Sequence, residues 1–414
     1  MKIVLSHPTG NEFVRAAAVA FAKENILGAF YSTIASFPGS SLDYISRYPR
    51  FSEIKRRQYD SILQPYTEMI LPFLEAGRLL SPKLGLDELT KNESAFFNIA
   101  RIYSEFDKKV AKKLNSKKFD GIYAYEDGAF HSFKVAMELG IPRFYDLPIG
   151  YWRTSRILLE KEREKWPDWA STLTGFSDSE EKLARKDAEL NMASRIYVAS
   201  RFTAKTLENY PGQLAPIEVI PYAFPPITSV REYETISRTR PLKLLFVGGL
   251  SQRKGVADLF AAVEKLNNRV QLTVIGRKPK NNCPALNEAL SKHTWIDSLS
   301  HAEILKKMRE HDVLLFPSLF EGFGLVITEA MSQGTPVITT DRTAGPDLIE
   351  HGNNGWLTEA GSAEALQESI EEIIRNPQLI EKAGRAAMKT ASQRPWSLYG
   401  DELARSLTRE SVIL

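Results

Sequence analysis

Two glutamates eight residues apart, Glu321 and Glu329, and two adjacent cations, Arg253 and Lys254, are the residues of this 414-residue chain best suited to chemistry. Glu321 opens the segment Glu321-Gly322-Phe323-Gly324, which follows the apolar run Val313-Leu314-Leu315-Phe316 and the pair Pro317-Ser318. That run reads as a parallel strand covered on both faces. The two glycines permit a sharp turn and close backbone approach. From Leu325 onward, the spacing of Leu325, Thr328, Glu329 and Ser332 predicts one side of a helix. Glu321 therefore belongs to the loop at a strand's carboxyl end and Glu329 to the next helix, where open α/β sheets bind ligands. The N–H groups of Gly324, Leu325 and Val326 are free at the helix start to hold an anion or a sugar hydroxyl. Taken alone, the pattern is also that of an ordinary strand–helix connection with two solvated glutamates.

The cations lie in a second transition of the same kind, Phe246-Val247-Gly248-Gly249-Leu250-Ser251-Gln252-Arg253-Lys254-Gly255-Val256. Fixed cations and N–H donors there would stabilise developing negative charge on a bound anion, and losing one such donor commonly costs about 2.7–4 kcal/mol. The segment is neither a Walker loop nor a dinucleotide fingerprint; the alternative is an exposed basic loop. In the first half, His7-Pro8-Thr9-Gly10-Asn11-Glu12 places a glycine turn before the Ala-rich helix Phe13 to Ala22. Glu126-Asp127-Gly128 follows the run Gly121–Tyr125. The six histidines show no zinc spacing, no Asp-x-Asp pair occurs, and no Gly-x-Ser-x-Gly elbow supports a hydrolase triad. No metal site and no bound cofactor are expected.

These residues need a scaffold, and the rest of the chain supplies its outline. Short β-type runs alternate with helical patterns, which predicts parallel α/β sheets. The expected strands of the first half are Ile3–Ser6, Phe30–Ile34, Gly121–Tyr125, Arg143–Asp146, Ile196–Ala199 and Glu218–Pro221. Those of the second are Lys243–Val247, Leu272–Ile275, Thr294–Asp297, Val313–Phe316 and Val337–Thr340. Val256 to Leu266 carries an apolar stripe of helical period. A Pro-rich then polar stretch, 223–241, reads as a linker between domains at 1–222 and 242–395. Residues 48–118 look mostly helical and rich in Lys and Arg, either a solvated face or a guide for an anionic, lipid-linked acceptor at a membrane. The net charge of +3, from 54 basic and 51 acidic residues, demands no nucleic-acid partner. A single cysteine, Cys283, with no leader and no apolar run near 18 residues, predicts a soluble, cytoplasmic protein.

Glu-Gly-Phe-Gly at 321–324 with Glu329, followed by Ala330-Met331-Ser332-Gln333-Gly334-Thr335-Pro336-Val337-Ile338, resembles the donor-site signature of glycosyltransferase family 4. These are retaining, nucleotide-sugar-dependent enzymes of the GT-B fold. The resemblance implies two Rossmann-like, doubly wound domains facing across a cleft, with the terminal segment 396–414 crossing back to the first. It gives Arg253, Lys254 and Glu321 the catalytic roles, the cations on the diphosphate and Glu321 on the donor-sugar hydroxyls. Glu329 would hold the ribose, with Gly249, Gly324, Leu325 and Val326 beside the donor and Trp295-Ile296 against the base. Gly10 and Asn11 match the family's glycine loop. Glu126 and Asp127 occupy the acceptor-side loop, where the family often has a histidine. A further departure is Gly249, at the place of the family's Arg before Leu; Arg253 would supply that cation.

The expected activity is transfer of a sugar from a nucleoside-diphosphate co-substrate to a hydroxyl of a glycan, lipid-linked or small-molecule acceptor, without metal. The basic 47–118 region offers peripheral contact at the inner face of a membrane. The alternatives are a nucleotide-sugar 2-epimerase of similar fold, and a catalytically silent relative that only binds the nucleotide-sugar.

Overall fold

The computed structural model describes residues 1–409 apart from residues 87, 92–94, 228, 230 and 235–239. Those of 223–241 and 396–414 that fall in the gaps, including 410–414, therefore lie outside the described residues. The strands are β1 Ile3–Ser6, β2 Leu27–Ser32, β3 Thr67–Met69, β4 Gly121–Tyr125, β5 Arg143–Leu147, β6 Arg195–Val198 and β7 Ile217–Val219. The second series is β8 Leu242–Val247, β9 Val270–Ile275, β10 Thr294–Ile296, β11 Val313–Phe316, β12 Val337–Thr340 and β13 Trp356–Thr358. They form two separate sheets, β3-β2-β1-β4-β5-β6-β7 and β10-β9-β8-β11-β12-β13, and every pairing is parallel. β1, β4, β11 and β12 are buried along their whole length, as their unbroken apolar and small-residue runs require between two helical layers.

The expected strands all occur, with shifted ends for several. β2 starts and ends earlier than Phe30–Ile34, because Leu27 already pairs with Ile3 and Thr33 leaves the sheet to donate to the Pro8 carbonyl. β5 to β10 shift by one or two residues at their ends. β3 and β13 were not anticipated. Each is a three-residue edge strand, too short to show alternation. β3 interrupts the mostly helical 48–118 region, which includes turns of 3₁₀ type at Pro49–Arg57 and Ser61–Tyr66 and helices at Pro72–Leu80 and Ile99–Ser116. The predicted helix Val256–Leu266 has those bounds.

The helix Trp396–Arg409 leaves the second domain at Pro395, which bridges to Phe224, and lies against the helix Glu12–Lys23 of the first. Leu403, Ala404 and Leu407 are buried there, and the Ser406 hydroxyl donates to Glu218 at 2.6 Å and lies 2.9 Å from the Tyr197 hydroxyl. Trp396 packs edge-on to Tyr399 and beside Tyr222. In the connecting stretch, Arg231 is buried against the Thr335 hydroxyl and the Gly334 carbonyl, and Tyr233 donates to the same carbonyl. Those two residues thus belong with the second domain.

Candidate active site between the domains

Each sheet reverses its strand order once, between β1 and β4 in the first and between β8 and β11 in the second. The carboxyl ends on either side of such a reversal open a crevice. In the second domain that crevice receives Gly248-Gly249 after β8 and residues 317–324 after β11. A cavity of about 360 Å³ lies there. Lys254, Glu321, Glu329, Gly249, Gly324, Leu325 and Val326 line it. Phe13, Pro148 and Tyr222 close it from the first domain. Seven of the sequence candidates therefore meet around one space.

Local chemistry fixes the cations. Ser251 caps the short turn Gln252–Lys254 by accepting from the Arg253 N–H. Gln252 is fully buried and ties the turn to both domains. Its N–H donates to the Thr172 hydroxyl at 2.9 Å, and its amide donates to Glu162 at 3.2 Å and Asp258 at 3.1 Å. With the turn held, Arg253 donates to the Phe320 carbonyl at 2.8 Å and to Glu321 Oε2 at 3.3 Å. Lys254 Nζ contacts the same Glu321 oxygen and lies 4.7 Å from the centre of the Phe316 ring. Burial presses the Lys254 ammonium well below its ordinary value, and the Arg253 guanidinium adds to this; burial also lowers Arg253. Half-buried Arg253 and Lys254 share one carboxylate, so one of the two has no carboxylate of its own and an incoming anion would partner it.

Glu329 projects from the helix Leu325–Ser332, and its Oε1 lies 3.1 Å from His301 Nε2 at the start of the helix His301–Glu310. That bond raises the His301 basicity. His301, Gln252, Phe13 and Tyr222 escaped the sequence reading. Their partners lie far off in the chain, and no spacing signals them.

The remaining candidates lie outside this cavity. Arg253 turns its other side to a cavity of about 200 Å³ that also includes Arg156 and Lys186. Trp295 is exposed, donates to the Gly276 carbonyl at 3.0 Å and lies under Lys278 Nζ at 4.3 Å, with Ile296 half-buried beside it. Gly10 adopts φ +61°, and a side chain there would meet the Tyr59 hydroxyl; its N–H donates to His7 Nδ1 at 2.8 Å, and the Thr9 N–H to the same atom at 3.1 Å. His7 is thus a buried acceptor inside the turn, and burial, with Arg57 nearby, pushes its imidazole down to about 3. Asn11 stands at the cap position of the helix Glu12–Lys23 with its Oδ1 buried and without a hydrogen-bond partner. Glu126 and Asp127 are taken up by ion pairs to Lys186 at 3.1 and 3.6 Å, because the helix Glu180–Met192 presents that cation to their loop.

The domains touch beside the cavity. The Gly322 carbonyl accepts from the hydroxyls of Ser200 at 2.6 Å and Thr203 at 2.7 Å, and any side chain at 322 would collide with the Pro148 carbonyl. Among the described residues, no group of three or more His, Cys, Asp or Glu side chains is placed to hold a metal ion, and no helix is long and apolar enough to cross a membrane.

Residues 233–390 match the sequence family described as glycosyl transferases group 1. Curated relatives include a phosphatidyl-myo-inositol mannosyltransferase of Mycobacterium leprae, 29% identical over 168 residues, covering 39% of this chain and 45% of the relative. A capsular polysaccharide biosynthesis glycosyltransferase, CapM, of Staphylococcus aureus is 30% identical over 178 residues, covering 39% and 46%. The chain spans less than half the length of these relatives. Among solved structures, a sucrose-phosphate synthase from Thermosynechococcus elongatus superposes with a TM-score of 0.67 at 16% identity over all of both chains. Anabaena HepE in complex with UDP-glucose gives 0.63 at 18% identity over 99% of this chain and all of that one. The overall architecture is the two-domain GT-B fold.

Proposed function

We propose, from the match of residues 233–390 to the glycosyl transferases group 1 family, that this protein moves a sugar from a nucleoside-diphosphate sugar to an acceptor hydroxyl, with retention and without metal. The observation that carries the reading is the convergence of Lys254, Glu321, Glu329 and the helix-start residues Gly324, Leu325 and Val326 on one cavity at the second sheet's reversal. In this reading the diphosphate takes up the excess positive charge of Lys254 and Arg253, and helix-start amides add neutral donors. Glu329 accepts from the ribose hydroxyls, held in place by His301. Glu321 exchanges its contact with Lys254 for the hydroxyls of the donor sugar.

As the leaving group departs, charge builds on its oxygen beside the two cations, which is where fixed positive charge lowers the barrier. The acceptor approaches from the first domain, where Phe13, Pro148 and Tyr222 exclude water from the reacting face. A donor phosphate oxygen receives the acceptor proton, so the chain needs no nucleophile of its own.

Calorimetric titration of UDP, GDP and ADP in the presence of a chelator tests the donor site, with Glu329→Ala as control. Tight binding of one nucleotide, weakened about tenfold or more by the loss of a bidentate acceptor, is the expected result. Failure of all three to bind would leave the protein a relative in fold alone.

A further inference from the structure

The segment between β2 and β4 builds a second concavity that the transferase reading does not use. Its walls are the helix Ser41–Ser46, the turn Pro49–Arg57, the edge strand β3 and the helix Pro72–Leu80, and it encloses about 670 Å³. That is the size of a small-molecule site. Ile45, Met69, Leu79 and Leu80 are among its lining residues, and Lys83 is the one charged side chain among the described residues that line it. Large apolar groups at the groove stand open to solvent: Tyr48 is 68% exposed, Phe73 60% and Met69 47%. A continuous apolar surface of this kind on a folded domain marks a binding face.

The lining chooses among occupants. A peptide in this groove would bury backbone N–H and C=O groups against side chains that offer almost no partners, which is strongly unfavourable. A hydrocarbon chain has no such groups. In the adjoining stretch 47–57 the cations include Lys55, Arg56, Arg47, which pairs with Asp43, and Arg57, which is buried against Glu75. Arg47, Lys55 and Arg56 are exposed. Two copies of so basic a face would repel each other, whereas an anionic headgroup complements it.

We propose that this groove seats the hydrocarbon chain of an anionic membrane lipid and docks the first domain on a bilayer surface. The wall is tied to the cleft. Arg57 donates to the Thr9 carbonyl in the glycine turn and to Glu75 at 2.5 Å on the helix behind the groove. Docking therefore brings the first-domain rim of the cleft to the headgroup layer. The proposal stands on the groove and its charge, independently of the sugar-transfer reading.

Flotation of the full chain with vesicles of phosphatidylcholine alone, or mixed with phosphatidylglycerol, tests it. Binding to the anionic vesicles only, weakened by salt, is expected. Tyr48→Ser with Phe73→Ser should reduce binding at least tenfold, since each removes an inserted apolar side chain. Arg47→Glu with Lys55→Glu, which leaves the groove intact, should do the same. In a separate reporter variant, Tyr48→Trp, emission should shift to shorter wavelength on adding anionic vesicles. No vesicle binding, equal binding by the Tyr48/Phe73 variant, or a dimer in light scattering that Phe73→Ser dissolves would each overturn the proposal. Nucleotide calorimetry on the same preparations reads the donor site separately, so either conclusion can fail alone.

Discussion

Lys254 and Arg253 lean on one oxygen of Glu321, so a single carboxylate serves two cations. Replacing Lys254 with Ala leaves Arg253 and Glu321 as a balanced pair and, on the proposed sugar-transfer reading, removes the cation needed most when the diphosphate departs. The expected outcome is a fall in kcat of about 10²–10³ with a smaller change in KM, measured by product formation with the nucleotide-sugar that calorimetry selects. At this scale the sequence was informative where chemistry sits in loops directly after strands. Lys254, Glu321 and Glu329 are such residues, and all three line the cavity. It was silent on Gln252 and His301, because hydrogen bonds to Glu162 and Glu329 join residues 90 and 28 positions apart and leave no periodic trace.

Among the elements, the turn between β1 and the helix Glu12–Lys23 has the most distinctive energetics. Its two N–H groups, from Thr9 and Gly10, both depend on an unprotonated His7. The imidazole titrates at about 3 when folded against an ordinary 6.5, so between these values the unfolded chain binds a proton that the folded chain refuses. Stability must therefore fall as pH drops from 6.5, with this group contributing up to about 1.4 kcal/mol per pH unit. His7→Asn keeps an acceptor in place but does not titrate. Urea unfolding between pH 7 and 4.5 should show a shallower decline in that variant than in the parent. The glycine in this turn was readable because only positive φ fits there, whereas the edge strands β3 and β13 were not, since three residues are fewer than a period can reveal.

For the whole molecule, the alternation of strands and helices already implied two parallel sheets and a cleft between them. What the pattern could not convey was how the sheets are joined. The Gly322 carbonyl, the Gln252 amide and the Arg394 guanidinium, which donates to the Tyr222 carbonyl at 3.1 Å, all bind across that junction. The terminal helix makes the first domain depend on a remote part of the chain. Leu403→Ala, at a fully buried position on that helix, should lower the free energy of unfolding by about 2–5 kcal/mol in denaturant titration.

The same helix sets a timetable for biosynthesis. The helix Glu12–Lys23 emerges from the ribosome early, yet the surface that covers it is made only after the entire second sheet. At roughly 5–20 residues per second, the interval between residue 224 and residue 396 is on the order of ten to thirty seconds. Throughout that time the nascent first domain waits with an open apolar flank, while the second can already close. Chaperones that recognise exposed aliphatic surface would find their client in the amino-terminal half of this protein, although that half is the first to be synthesised.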